Sequence, residues 1–84
     1  MIIEQLYATP QAKAHMLEKH GVAWYEVVEA MSQRGLRPIR ARKQNGEMRY
    51  QVKSRTEAGR RLLIIFAVER PARARIITAR QVGS

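Results

Sequence analysis

The 84-residue chain contains no cysteine and no aspartate. Without cysteine there is no disulfide, no thiolate zinc site and no thiol nucleophile. The two histidines, His15 and His20, are spaced off a single helical face, so no metal-ligand cluster is expected and no cofactor is implied. Aromatic residues are few: Tyr7, Trp24, Tyr25, Tyr50 and Phe66. They do not form the exposed stacking platform by which many RNA-binding modules read bases. The longest apolar run, Leu62 to Val68, is too short to cross a membrane. The opening MIIEQLYATP has neither a basic region nor a long apolar stretch, and a cytoplasmic protein with no membrane partner is expected. The length sets a single domain over residues 1–84 with a small core.

Charge is what the chain has in abundance. Sixteen Lys and Arg face seven Glu, for a net charge of +9. The first 33 residues carry −2 and residues 34–84 carry +11, and twelve of the sixteen cations are arginine. Such a field attracts polyanions, and the planar arginine fork suits phosphate. A nucleic acid or an acidic protein is therefore expected as partner, against the plainer reading of charge that only keeps the chain soluble.

The periodicity gives an α+β order. Residues 2–7 read as a short strand. Thr9-Pro10 reads as an N-cap followed by proline in the first turn, and the helix runs to a left-handed stop at His20-Gly21 with Ala12, Met16 and Leu17 inward. A second helix places Trp24, Val27, Val28 and Met31 on one stripe, and Gly35 is expected to end it. Glu26 and Glu29 lie off that stripe and read as solvent-exposed, or as a contact to a basic partner. From Leu36 the period becomes two. Residues 36–43 and 48–55 flank Asn45-Gly46, a strong hairpin signal. Residues 61–69 form an unbroken apolar strand, expected at the sheet centre and buried on both faces. After a turn at Pro71-Ala72, residues 73–80 form the last strand. Two N-terminal helices are thus expected on one face of a mainly antiparallel sheet of four to five strands.

A two-residue loop at Asn45-Gly46 pairs Gln44 with Glu47, Arg42 with Arg49, Arg40 with Gln51 and Ile39 with Val52. Strand alternation then puts Ile39, Ala41, Tyr50 and Val52 on one face. Arg40, Arg42, Arg49, Gln51 and Lys53 fall on the other, with Arg55 following. Like charges directly opposite cost up to about 1 kcal/mol per pair, so such a ladder is either fully solvated or binds an anion. A phosphodiester backbone matches a row of cations at strand spacing. In the last strand, Arg73 and Arg75 are expected on one side and Arg80 on the other.

Several segments resemble one known family. Lys19-His20-Gly21-Val22, followed by Trp24 and Glu26, is similar to the KHGV-x-F-x-E segment of BrnT proteins. Glu47-x-Arg49-Tyr50 is similar to their E-x-R-F strand, Gly59-Arg60 to their GR-x-L-x-V-V run, and Arg75-Ile76-Ile77-Thr78-Ala79-Arg80 to their RIISAR strand. The four come in the family's order across roughly residues 10–81. Where that family has an acidic residue before the first helix and an asparagine within it, this chain has Thr9-Pro10 and Ala14-His15. The resemblance implies a RelE-like fold and the toxin of a type II toxin–antitoxin system: an endoribonuclease that inhibits translation, paired with a ribbon-helix-helix antitoxin.

Metal-free RNA cleavage needs a base for the 2′-hydroxyl proton, cations for the crowded phosphate and a proton for the leaving oxygen. His20 is the acid–base candidate, since histidine changes charge near physiological pH; it reads equally as a helix-capping residue. Glu47 reads as a general base or as a salt-bridge partner. Arg49, Arg75 and Arg80 are the candidates for transition-state charge. Lys19, Arg40, Arg42, Lys53 and Arg55 are candidates for holding RNA, ribosome-associated mRNA included. Two other readings stay open: a basic domain that grips RNA or the ribosome without cutting, and an inactive toxin relative that holds an antitoxin.

Overall fold

The computed structural model describes residues 3–41, 43, 45–69 and 72–83. Ile2, Arg42, Gln44 and Pro71, named above, lie outside the described residues. Thr9 starts the first helix, α1 (Pro10–His20), by accepting the Ala12 N–H at 3.1 Å. Gly21 ends it at φ 63°, where a Cβ would be strained, and its N–H reaches the Leu17 carbonyl. The second helix, α2 (Trp24–Met31), starts at Ala23, which has no side-chain oxygen to cap it. Glu26 reaches back instead and accepts the Ala23 N–H at 3.0 Å. Ser54 Oγ donates to the Ala30 carbonyl at 2.7 Å and ties the end of α2 to the sheet.

Both helices lie on one face of a mixed five-stranded sheet. Its strands are β1 (Gln5–Tyr7), β2 (Ile39–Arg40), β3 (Arg49–Arg55), β4 (Arg61–Glu69) and β5 (Arg73–Gln81), in the order β1-β5-β4-β3-β2. The β1–β5 pair is parallel and the others are antiparallel. Met16, Val22, Val27 and Ala30 pack on Val52, Leu62, Ile64, Phe66 and Ile76 between the layers. Leu17 and Val28, expected inward, are exposed at 58% and 36%, because Met16 and Val27 already fill the face toward the sheet.

The unbroken apolar strand is central, as its sequence implies, but it is not buried on both faces. Leu62, Ile64 and Phe66 are fully buried under the helices, whereas Leu63 and Ile65 on the far side are half-buried. Among the described residues no helix covers that far side. It is a large face on which strand side chains can meet a ligand.

Two one-residue irregularities decide which cations reach that face. The Asn45-Gly46 turn forms, with φ of 51° and 75°. The expected two-residue register does not: Ile39 pairs with Gln51 and Arg40 with Tyr50. Between Ala41 and the turn the chain has one residue more than between the turn and Arg49, and the Ala41 N–H bonds the Arg49 carbonyl at 2.7 Å. A slip of one residue flips every side chain to the other face. Arg40 therefore shares the helix side with Tyr50 and Val52, opposite Arg49, and exposed Ile39 joins the uncovered side. The arginine ladder expected from alternation is broken. In β5 the reverse happens. Ile65 pairs with Thr78 but Phe66 pairs with Ile76, so Ile77 is an extra residue. That bulge puts Arg80, opposite Leu63, on the same uncovered side as Arg73 and Arg75 instead of across from them.

Candidate active site on the uncovered sheet face

The uncovered face has two ends with different electrostatics. At one end, where β4 finishes and β5 begins, acids and arginines interlock. Arg75 pairs across the strands with Ala67 and with Tyr7 of β1. Its Nη2 donates to Glu47 Oε2 at 2.5 Å and its Nε to Glu69 Oε2 at 3.1 Å. The Tyr7 hydroxyl donates to the other Glu69 oxygen at 2.7 Å. Arg49 Nε lies 3.8 Å from Glu47 Oε1, and the Arg73 guanidinium sits 4.2 Å above the Tyr7 ring. Six side chains thus share one partly exposed network, with Glu47 flanked by two guanidiniums.

Protonation follows from those contacts. The hydrogen bond from Tyr7, with that from Arg75, holds the Glu69 carboxyl below the usual carboxylate range despite partial desolvation. The same bond, with desolvation, pushes the Tyr7 phenol above its ordinary value, so it keeps its proton. The hydrogen bond that Arg75 donates to Glu47, with the one it donates to Glu69, raises the Arg75 guanidinium above its ordinary value despite partial desolvation and locks in its charge.

At the other end the cations stand without acids. Lys53, Leu63 and Arg80 form one row across β3, β4 and β5, and Arg55 lies directly opposite Arg61. No salt bridge is made by Lys53, Arg55, Arg61 or Arg80 among the described residues. Opposed arginines cost up to about 1 kcal/mol unless an anion lies between them. A groove of about 400 Å³ runs beside them, lined by Lys53, Arg55, Arg61 and Gly83.

The structure thus brings Glu47, Arg49 and Arg75 together and puts Arg80, Lys53 and Arg55 on the same face. It does not bring His20 to Glu47. The His20 carbonyl lies 3.5 Å from Arg60 Nη2, at the start of β4 and on the helix side. Ala67, beside Arg75, is roughly 20 Å farther along that strand at about 3.3 Å per residue. The exposed Lys19 precedes His20 on the same helix, outside the uncovered face. Arg40 is on the helix side, and Arg42 lies outside the described residues.

Sequence reasoning missed Tyr7, Glu69 and Arg61 as members of this face. The parity of β1 and β4 held the signal for all three. It also misread Glu26, which is no solvent-facing acid. Burial pushes its carboxyl up, and the Ala23 N–H and the Arg60 guanidinium more than offset this, leaving it below the usual range. Arg60 Nη1 donates to both Glu26 oxygens and to the Gly21 carbonyl at 2.9 Å, while its Nε donates to Gln81. The resemblance segments around Gly21, Glu26 and Arg60 are therefore one structural joint.

Residues 9–84 match the family described as the ribonuclease toxin BrnT of type II toxin–antitoxin systems. The chain belongs to the BrnT family. Its fold is similar to the crystal structure of the Brucella abortus ribonuclease toxin BrnT at 1.1 Å resolution. The TM-score is 0.67 at 11% identity, over 96% of this chain and all of that one. No curated protein matches the chain in sequence. Membership in BrnT brings with it a ribonuclease toxin's RNA substrate and an antitoxin partner. Among the described residues, no helix is long and apolar enough to cross a membrane.

Proposed function

We propose that this BrnT protein is a metal-independent endoribonuclease whose chemistry lies at Glu47 and whose RNA track runs across the uncovered sheet face. The observation that carries the reading is the position of Glu47, a carboxylate held between Arg75 and Arg49 at one end of a face whose other end is lined with acid-free cations. Glu47 takes the proton of a ribose 2′-hydroxyl. The 2′-oxygen attacks phosphorus, the P–O5′ bond breaks, and water returns a proton to the leaving 5′-oxygen. Arg75 and Arg49 offset the charge that develops on the phosphate. Tyr7 and Glu69 position Arg75 from behind. Lys53, Arg55, Arg61 and Arg80 hold the phosphates on the flanking nucleotides. Two guanidiniums against Glu47 also disfavour a divalent cation at that carboxylate, which is the ground for metal independence.

In a cell, cleavage of mRNA by such a site inhibits translation, and a ribbon-helix-helix antitoxin is the partner we infer to hold it in check. His20 and Lys19 lie at the other end of the molecule, and their part is the α1 terminus. The test is incubation of the purified chain with a single-stranded RNA in the presence of a chelator. Fragments with 2′,3′-cyclic phosphate and 5′-hydroxyl ends support the reading. Intact RNA retained in a salt-dependent complex would support the binding module instead, and weak RNA affinity with a tight protein complex would support the inactive relative.

A further inference from the structure

At the β2 edge the sheet's own strands leave β3 unfinished. β3 runs to Arg55, but β2 has only two residues and covers only Tyr50 and Gln51. The bond from the Ala41 N–H to the Arg49 carbonyl fixes which backbone groups face outward. Both groups of a strand residue in an antiparallel ladder face the same neighbour, and successive residues alternate. Arg49, Gln51, Lys53 and Arg55 therefore aim outward. Ile39 meets Gln51. The N–H and C=O groups of Lys53 and Arg55 lie beyond the end of β2, and no described residue bonds them from that side.

A groove of about 600 Å³ runs along this stretch, walled on its far side by the segment after α2. Arg34, Arg37, Lys53 and Arg55 line it, with Leu36 and the 59%-exposed Ile39 as apolar contacts. No acid is among its lining residues.

We propose that this groove accepts an extended acidic peptide, which adds to the outer edge of β3 as a further strand. Backbone chemistry selects a peptide over RNA. The edge offers alternating donors and acceptors; a phosphate chain can use the N–H groups, but the Lys53 and Arg55 carbonyls repel it. A peptide strand satisfies both kinds. The four cations then choose acidic side chains on that strand. A second copy of this chain is disfavoured, because edge-to-edge pairing of two β3 strands sets Lys53 and Arg55 against their own kind in a protein of net charge +9. The docking rests on edge geometry and not on the cleavage reading. If both hold, the strand covers Lys53 and Arg55 and competes with RNA.

The experiment uses the full chain, isotopically labelled, and an acetylated Glu-Val-Glu-Val-Glu-Thr-Glu peptide, with no RNA present. Hydrogen exchange at the Lys53 and Arg55 amides should slow at least tenfold on saturation. Peptides N-methylated at every second residue, prepared in both registers, keep the charge; in one register the methyl groups block pairing, and affinity should fall at least tenfold. Arg37→Glu should weaken the parent peptide to a similar degree. Equal affinity for all three peptides would reduce the contact to charge alone and overturn the proposal. Absence of binding would also overturn it, leaving the cations as guards against edge aggregation. So would a single-stranded RNA of equal charge that protects the same two amides at least as well.

Discussion

Arg60 donates to both carboxylate oxygens of Glu26, at 2.8 and 3.0 Å, across 34 positions of sequence. The same guanidinium meets the end of α1 at Gly21 and the end of β5 at Gln81. One side chain thereby fastens both helices to the far end of the sheet. Hydrogen bonds to charged groups contribute about 1.5–3 kcal/mol each in net terms, and these side chains are 25% and 13% exposed. Arg60→Ala should lower the stability by about 2 kcal/mol and Tm by on the order of 10 °C. Arg60→Lys should recover part of this, because it restores charge but not the fork. Thermal unfolding by circular dichroism checks both.

Acid should loosen this joint and the Tyr7–Glu69–Arg75 network at the other end of the sheet. The Glu26 and Glu69 carboxyls lie below their ordinary value in the folded chain. As pH drops below about 4.5, the unfolded chain takes up protons at these groups before the folded one does. Their contribution is therefore complete above the unfolded value and is lost as pH falls through the folded one. Urea unfolding between pH 2.5 and 6 should show stability rising with pH, and Glu26→Gln should flatten the slope.

RNA affinity should follow the observed face and not the simple alternation. Single substitutions Lys53→Ala, Arg55→Ala, Arg61→Ala and Arg80→Ala should each weaken binding and reduce the slope of log K against log salt by about 0.7, the value for one phosphate contact on a single strand. Arg40→Ala, on the helix side, should leave the slope unchanged. Filter binding at several salt concentrations measures this.

The histidine separates two placements of the chemistry. His20 lies by the start of β4 and Glu47 by the partner of Ala67. His20→Ala should leave the cleavage rate within about threefold, measured under single-turnover conditions. A loss as large as that of a Glu47 variant would move the reaction to the end of α1.

The limits of α1 were legible because their signals are local: Thr9 and Pro10 at its start, and Gly21 at its end; α2 instead stops at Met31, four residues before the glycine expected to end it. The Asn45-Gly46 turn and the central place of β4 were legible for the same reason. The membership of the face was not. Strand alternation carries an error forward from any single extra residue, and here one lies before the turn and another at Ile77. The first removes Arg40 from the face and the second adds Arg80. The Arg60–Glu26 joint was hidden because its partners meet only in the folded chain.

The central claim is that Glu47, held between Arg75 and Arg49, removes the 2′-hydroxyl proton. Its most direct test is the single-turnover cleavage rate of Glu47→Gln against the unaltered chain, with RNA affinity measured on the same samples. The account predicts a fall of about 10²- to 10⁴-fold in rate, with affinity within a few-fold and the fold intact by circular dichroism. A rate within threefold of the unaltered chain would contradict it, as would a loss that resides wholly in binding.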